Sequence, residues 1–454
     1  MDTQFVTARP ITVAGGRYAP GHLGELTQLA PFEMVDEALA ATNTTQSRLR
    51  DLPSRVVVYL LLAACLFPEV GYPGVWRKLT AALTTLLPTV TPTPSALAQA
   101  RRRVGVAPLR WLFDLLRGPA ATPRAPGTWW RGLLVCAIDG TTLTVSDTPA
   151  VLDRLSKQRG NHGGTGYPQI RLVALLACGT RTILDTVFGP TTTGEITYTA
   201  RLLRSLRAGM ILLADRNFAA KDLLAQIAAT GAEVLVRRKN GRRMPVLARY
   251  PDGSYLSMLG GLRVRVVECE ITISTTAGRH TGVYRLATTL LDPNRYPAGE
   301  LIRLYHQRWE IETAYLQLKS SILGGRVLRA RTPVGLDQEI YALLVVYQLL
   351  RTAMADATAT RSDLDPERAS FSIAWQTARD QLIQAANIIT GTAIDLVGTI
   401  GRHVLAGLLP ARRLRVCPRI VKRAISKYQA RGPAIDRTSY KATIKIDILT
   451  GEPP

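Results

Sequence analysis

Residues 133–139 read LLVCAID and residues 210–215 read MILLAD, each a short apolar run that ends in an aspartate. Such uninterrupted runs, bounded by turn residues, are the pattern of strands buried on at least one face. Between them, Gln169–Cys178 and Thr182–Phe188 repeat the pattern around a turn at Gly179, and Glu233–Val236 follows beyond a helical segment, Lys221–Thr230. Residues 131–237 therefore read as a mixed α/β unit: a three-stranded meander, a helix, then a strand–helix–strand step. Asp139 and Asp215 stand where strands leave a core, which is where α/β sheets meet ligands. Each also has a simpler reading. Asp139-Gly140 is a turn dipeptide, and Asp215 could cap the helix beginning near Ala219.

Farther along, Pro297 opens a long helix through about Ile322 that contains YHQRWEIETAYLQLK at 305–319. At about 100° per residue, Tyr305, Arg308, Glu312 and Lys319 fall within an arc of roughly 60°. Leu304, Ile311, Tyr315, Leu318 and Ile322 form the neighbouring apolar stripe. The competing reading is a solvated face laced by ion pairs such as Arg308–Glu312. Trp309 could stack on a base, although packing is the commoner use of a half-buried tryptophan. With the two aspartates, Glu312 makes three hard oxygen donors, which suit Mg²⁺. Two such ions can clamp an in-line phosphoryl displacement, with Arg308 and Lys319 as cations and Tyr305 as a hydrogen-bond donor for the neighbouring phosphate.

The stretch between, about 238–295, is polar and alternating (RVRVVECEITI, GVYRLATTLL) and reads as a small β-rich insertion. Ser156–Pro168 is Gly-rich and reads as a long hairpin rather than an active-site loop. Upstream, residues 1–125 are helical, with helices at Arg55–Phe67, about Gly74–Leu87, Ala96–Arg103 and Leu109–Leu116. Arg101, Arg102 and Arg103 sit together in the third of these, so a helix–turn–helix contact with DNA competes with a solvated helix end. Residues 118–130 read as a linker. Residues 335–454 are expected to be helical, with an apolar helix at Ile340–Met354 and a tail, 411–431, holding eight Lys/Arg and no acid. The expected division is 1–125, 126–334 and 335–454.

The whole chain of 454 residues carries 57 Lys and Arg against 34 Asp and Glu, a net +23. A surplus of that size favours a polyanionic partner, because neutralised phosphates release counterions. The five cysteines are scattered without metal-ligand spacing, which suits a reducing cytosol and argues against zinc. The N-terminus lacks the pattern of a signal peptide, and the longest apolar run, Val56–Phe67, is too short to span a bilayer. A cytoplasmic protein with no membrane partner is expected.

The segments AIDGTTLTVSDTPA, YPQIRLVALLACGTRTILD and ILLADRNF, and above all the Y-x2-R-x3-E-x6-K spacing at 305–319, resemble the DDE transposases of bacterial insertion sequences, in particular the insertion-sequence-four family. The resemblance implies an RNase H-like catalytic core interrupted by a β-rich insertion, with Asp139, Asp215 and Glu312 as metal ligands. It implies that Tyr305, Arg308 and Lys319 engage phosphates of the element's end, and that the helical 35–118 region binds terminal inverted repeats. It further implies two Mg²⁺ ions, replaceable by Mn²⁺, double-stranded DNA ends and target as partners, a homodimer on paired ends, and a hairpin on the flanks. A DNA-binding protein that no longer cuts, and a plain Mg²⁺ nuclease of the same fold, remain as alternatives.

Overall fold

The computed structural model describes residues 19, 21–48, 50–84, 88–120, 127–160, 163–238, 244–361, 363–384, 398–410, 415–416 and 438–449. The basic tail at 411–431 thus lies almost wholly outside the described residues. The chain forms two compact units that are interleaved along the sequence, where the sequence reading drew three consecutive ones. One comprises 126–142, 157–313 and 410–454. The other comprises 1–125, 143–156 and 314–409.

The first unit is built on a mixed sheet. Its longer strands include β1 (Leu133–Thr144), β2 (Gly163–Ala177), β3 (Ile183–Pro190), β4 (Met210–Ala214), β5 (Glu233–Arg238), β6 (Leu262–Thr275), β7 (Gly278–Thr288) and β8 (Tyr440–Ile448). The central order is β3-β2-β1-β4-β5. β3 runs antiparallel to β2, whereas β4 lies parallel to both β1 and β5. This meander followed by parallel strands is the RNase H-like arrangement. Leu134 through Ile138 and Met210 through Ala214 are buried without a break, because helices and loops cover both faces of the parallel part. Leu134, Cys136 and Ile138 of β1 join Val173, Leu212, Ala214, Val234 and Val236 in one apolar cluster.

Three features differ from the sequence reading. β1 does not stop at Asp139 but runs on to Thr144, although its pairing with β4 ends at Ile138. The β-rich insertion is no separate module: β7 pairs with β5 from Arg285↔Arg238 to Thr288↔Leu235, so its hairpin prolongs the main sheet. The C-terminal region is not helical throughout. Ala442, Ile444, Ile446 and Ile448 alternate with polar residues, a period of two, and this segment forms β8, antiparallel to β6. The Gly-rich stretch is a hairpin, as read, with Lys157 opposite Pro168.

In the second unit, Pro333–Ala359 is the central helix. By length and composition it could cross a membrane, but most of it is buried inside this unit, and it reads as a core helix. Ser54–Leu66 is likewise buried along nearly its whole length. Arg329 ties these pieces together: its Nη2 donates to the carbonyl of Ala64 at 2.6 Å, and its Nε donates to Glu339 at 3.1 Å. Thr93 caps Pro94–Val104 by accepting from the amide of Ala96.

Back in the first unit, Arg265 on β6 is wholly buried and paired with Asp252. Its Nη1 donates to the carbonyl of Tyr296 at 2.6 Å, and Asp252 accepts from the amide of Ala298 at 3.0 Å, the first residue of the helix Ala298–His306. Removing one partner of a buried pair leaves the other charge uncompensated. Asp252→Ala is expected to destabilise this unit by about 3 kcal/mol, measured by chemical denaturation; a change below about 0.5 kcal/mol would be that of an ordinary surface site.

Candidate active site

The pairing of β1 with β4 ends at Ile138↔Ala214, and the next residue on each strand is an aspartate. Paired residues on parallel strands project to the same side, so Asp139 and Asp215 emerge as neighbours about 5 Å apart along the sheet. Each uses one carboxylate oxygen locally. Asp139 accepts from the amide of Gly140 at 2.8 Å, and Asp215 accepts from the amide of Arg216 at 2.6 Å, capping the 3-10 turn Arg216–Phe218. Asp215 thus caps this turn and not the following helix, Lys221–Ala229, whose N-cap is Ala220, and the turn contact uses only one of its oxygens. The register continues onto β5, where Ala214 faces Val236 and Arg237 follows.

The helix that carries Glu312 is continuous but not uniform. It begins as an α-helix at Ala298–His306, tightens to a 3-10 turn over Gln307–Trp309, returns to α over Glu310–Leu316 and widens to a π turn over Gln317–Ile322. Residues three apart eclipse in a 3-10 turn, which draws Tyr305 and Arg308 closer in angle than a regular helix would. π turns within α-helices are frequent at functional sites. Lys319 lies on the π turn, half-buried, in the part of the helix that belongs to the other compact unit.

Several contacts fix the first part of this helix against the sheet. The hydroxyl of Tyr305 donates to the carbonyl of Ala214 at 3.2 Å, immediately before Asp215. Arg181, in the turn after β2, forms an almost fully buried ion pair with Glu310. Glu310 and Glu312 are two residues apart, and the structure distinguishes them: Glu310 is occupied by Arg181, while the Glu312 side chain is 41% exposed and turned to Arg308. Arg308, only 8% exposed, sets Nη2 at 3.1 Å from Glu312 and Nη1 at 3.8 Å from Asp139. Its guanidinium is thus the link between the strand acids and the helix acid.

The electrostatics agree. Burial would lower the Arg308 pKa, but Tyr305, Asp215, Glu312 and Asp139 together outweigh it and hold the guanidinium above its ordinary value. Asp139 is pushed up to about 6, chiefly by burial, with Gly140 and Arg308 opposing and Glu195 and Glu312 adding to the rise. Burial also raises the Tyr305 phenol, which stays protonated as a donor. Among the described residues, no three acid, histidine or cysteine side chains lie close enough together to hold a metal ion. Arg308 stands between Asp139 and Glu312 instead.

Two family models match consecutive stretches of the chain: insertion element 4 transposase N-terminal over residues 20–114, and transposase DDE domain over residues 130–349. The chain belongs to the DDE transposases of the insertion element 4 family. It is 26% identical over 421 residues to the transposase InsG for insertion sequence element IS4 of Escherichia coli (strain K12), covering 89% of this chain and 93% of that protein. It is 28% identical over 202 residues to the putative transposase InsZ of the same organism, covering 44% of this chain and 66% of that protein. Among solved structures it is similar to a piggyBac transposase synaptic complex with hairpin DNA, at 11% identity and a TM-score of 0.42, over 85% of this chain and 84% of that one. The protein is therefore a transposase, an enzyme acting on DNA, and its family uses divalent metal ions.

Other residues singled out in the sequence fall differently. Of the arginine triplet, only Arg102 is exposed. The Arg101 guanidinium lies 3.8 Å from the centre of the Tyr72 ring, and Arg103 donates to the carbonyl of Leu52 at 2.6 Å. These two hold the second unit together, which leaves Arg102 as the one of the three that faces solvent. Trp309 is 47% exposed, with the Arg308 guanidinium 5.2 Å from the centre of its ring. Arg237 and Glu195 escaped sequence reasoning because their neighbourhood is set by strand register and by a turn, neither of which has a local signature.

Two outcomes follow from this geometry. Glu310→Gln is expected to cost about 3 kcal/mol of folding stability, whereas Glu312→Gln should leave the melting curve near wild type and abolish DNA cleavage; equal stability losses would contradict the division of roles. The folded protein keeps the Asp139 proton to about pH 6, against an ordinary 3.8. Ionisation of Asp139 therefore takes stability away as pH rises through that window. In chelator near pH 7, Asp139→Asn should stabilise the protein by about 1–3 kcal/mol, with no gain below about pH 4; thermal melts across pH check this.

Proposed function

We propose that this transposase binds the terminal repeats of its element, cuts at the element ends and joins the freed 3′-hydroxyls to target DNA, with Asp139, Asp215 and Glu312 as the ligands of two Mg²⁺ ions, replaceable by Mn²⁺. The observation that carries this is the register of β1 and β4, which sets Asp139 and Asp215 side by side under a helix whose Glu312 meets the same arginine. The donor set fits the metal. All three groups are hard oxygen donors, and Asp139 is buried where its charge is under-compensated by Arg308 alone. Bound there, the ions would supply charge stabilisation at the attacking and leaving oxygens of an in-line displacement.

The chain's own groups do the rest. The buried strand ends fix the two aspartates, and the Tyr305 contact with Ala214 fixes the helix relative to them. Arg308, held between Glu312 and Asp139, supplies a cation for a DNA phosphate oxygen next to the reacting one. Lys319 adds a further cation for the same strand. Arg102 and the basic tail serve DNA binding, and two copies pair two ends in the bacterial cytoplasm.

Asp139→Ala, Asp215→Ala and Glu312→Ala should each abolish cleavage of DNA carrying the element's own ends while binding to those ends persists, and double variants should be little worse than singles. Cleavage gels and binding curves in Mg²⁺, Mn²⁺ and chelator check this. Near-normal cleavage by any one variant removes that residue from the site, and full activity in chelator ends the metal mechanism.

A further inference from the structure

The helix Pro94–Val104 has two sides of different chemistry. Leu97, Ala100 and Val104 are buried, while Ser95, Gln99 and Arg102 are exposed on the opposite side. At about 100° per residue those three fall within an arc of roughly 60°. The row they form is about 10 Å long, or roughly three base-pair steps of a duplex. Ala96 and Ala98 flank it with methyl groups only, which lets a partner come close to the backbone.

The chain around this row is basic on one side of the balance only. Between Glu69 and Asp114 lie Arg77, Lys78, Arg101, Arg102, Arg103 and Arg110, and no acid. The two bounding acids are themselves occupied, Glu69 by Arg379 and Asp114 by Arg117 at 3.2 Å. Arg101 lies against the Tyr72 ring, and Arg103 holds the Leu52 carbonyl with the like charge of Arg50 near it. Arg102 points outward beside Gln99, whose Nε2 donates to Ser95 Oγ at 3.4 Å, a long contact. From behind, Gln338 Nε2 donates to the carbonyls of Arg101 and Gly105 at 2.8 and 2.5 Å, which pins the end of the helix that carries Arg102. Side chains on a pinned helix are presented with little left to order on binding.

We infer that the helix Pro94–Val104 enters the major groove of the element's terminal repeat, where Arg102 reads a guanine and Gln99 an adenine. The major groove admits an α-helix, the guanidinium fork matches the two acceptors of guanine, and the carboxamide matches the donor and acceptor of adenine. The surrounding cations face the phosphates on either side. The inference rests on the reading that this chain binds its element's ends. Gln99 and Arg102 stand about 4.5 Å apart along the helix, so the base pairs they read are one or two steps apart.

The test is equilibrium binding of the full-length protein, in chelator, to DNA carrying its own element's ends and to DNA of scrambled sequence, with thermal melts as a folding control. Gln99→Ala and Arg102→Ala should each reduce the preference for end DNA by about tenfold, and both should melt like wild type because the positions are exposed. Arg102→Lys should lose the preference too, since an ammonium keeps the charge but not the fork. On end DNAs with single base-pair changes, each variant should become indifferent to one base pair, the two lying one or two steps apart. If Arg102→Ala weakens binding to both DNAs alike and Arg102→Lys restores it, Arg102 is a phosphate contact and the inference is wrong. If both alanine variants keep the wild-type preference, the row is an ordinary solvated face and the inference is equally wrong. If the wild-type protein does not prefer its own ends, the end-binding reading fails, and this inference with it.

Discussion

The parallel pairing of Leu134–Ile138 with Met210–Ala214 is the constraint on which the site depends. Both strands are buried on both faces, and buried strands fix their register, because a slip by one residue would turn every side chain to the opposite face. Two aspartates follow the last paired residues, so their juxtaposition is a by-product of hydrophobic burial rather than of any attraction between them. Placing a carboxylate at the edge of that core is costly, and burial is the chief reason Asp139 is raised. The apolar pairing holds the acids there against that cost.

The helix acid is held by another means. Glu312 reaches the aspartates through Arg308, and Arg308 is kept in place by a helix anchored at Ala298, Tyr305 and Glu310. Each anchor is a polar contact, two of them involving buried charge, and such contacts tolerate only one geometry. The arginine balances acids that would otherwise repel one another. A single guanidinium is less charge than three carboxylates call for, so the protein's own groups balance these acids only in part.

Much of this could be read from the chain. Unbroken apolar runs ending in aspartate betray buried strands, and the periodicity of 297–322 betrays the helix, since both signals are local. The 3-10 and π turns within that helix were not legible, because they arise from tertiary anchoring that overrides uniform helical spacing. Nor was the merging of β7 with β5, or of Tyr440–Ile448 with β6. Alternation marks a strand but does not name its partner, and these partners are far away in sequence. Arg101 and Arg103 show the same limit for side chains. A run of arginines signals charge, yet one is held on the Tyr72 ring and another on a main-chain carbonyl. The family resemblance pointed to Glu312, and the structure separates it from Glu310, which is buried against Arg181 while Glu312 is turned to Arg308.

The interleaving of the two units bears on how the protein comes into being. The helical unit takes its first segment from residues 1–125 and its last from 314–409. Gln338 Nε2 donates to the carbonyls of Arg101 and Gly105, and Tyr341 packs its ring near Phe113, so the N-terminal helices depend on partners made more than two hundred residues later. A nascent chain therefore leaves the ribosome with N-terminal helices that can pack on one another but lack the cover that Pro333–Ala359 gives them until that helix has been made. Chains cut short by premature termination would contain neither unit whole, and would be substrates for chaperones and proteases rather than DNA-binding fragments competing with the full enzyme.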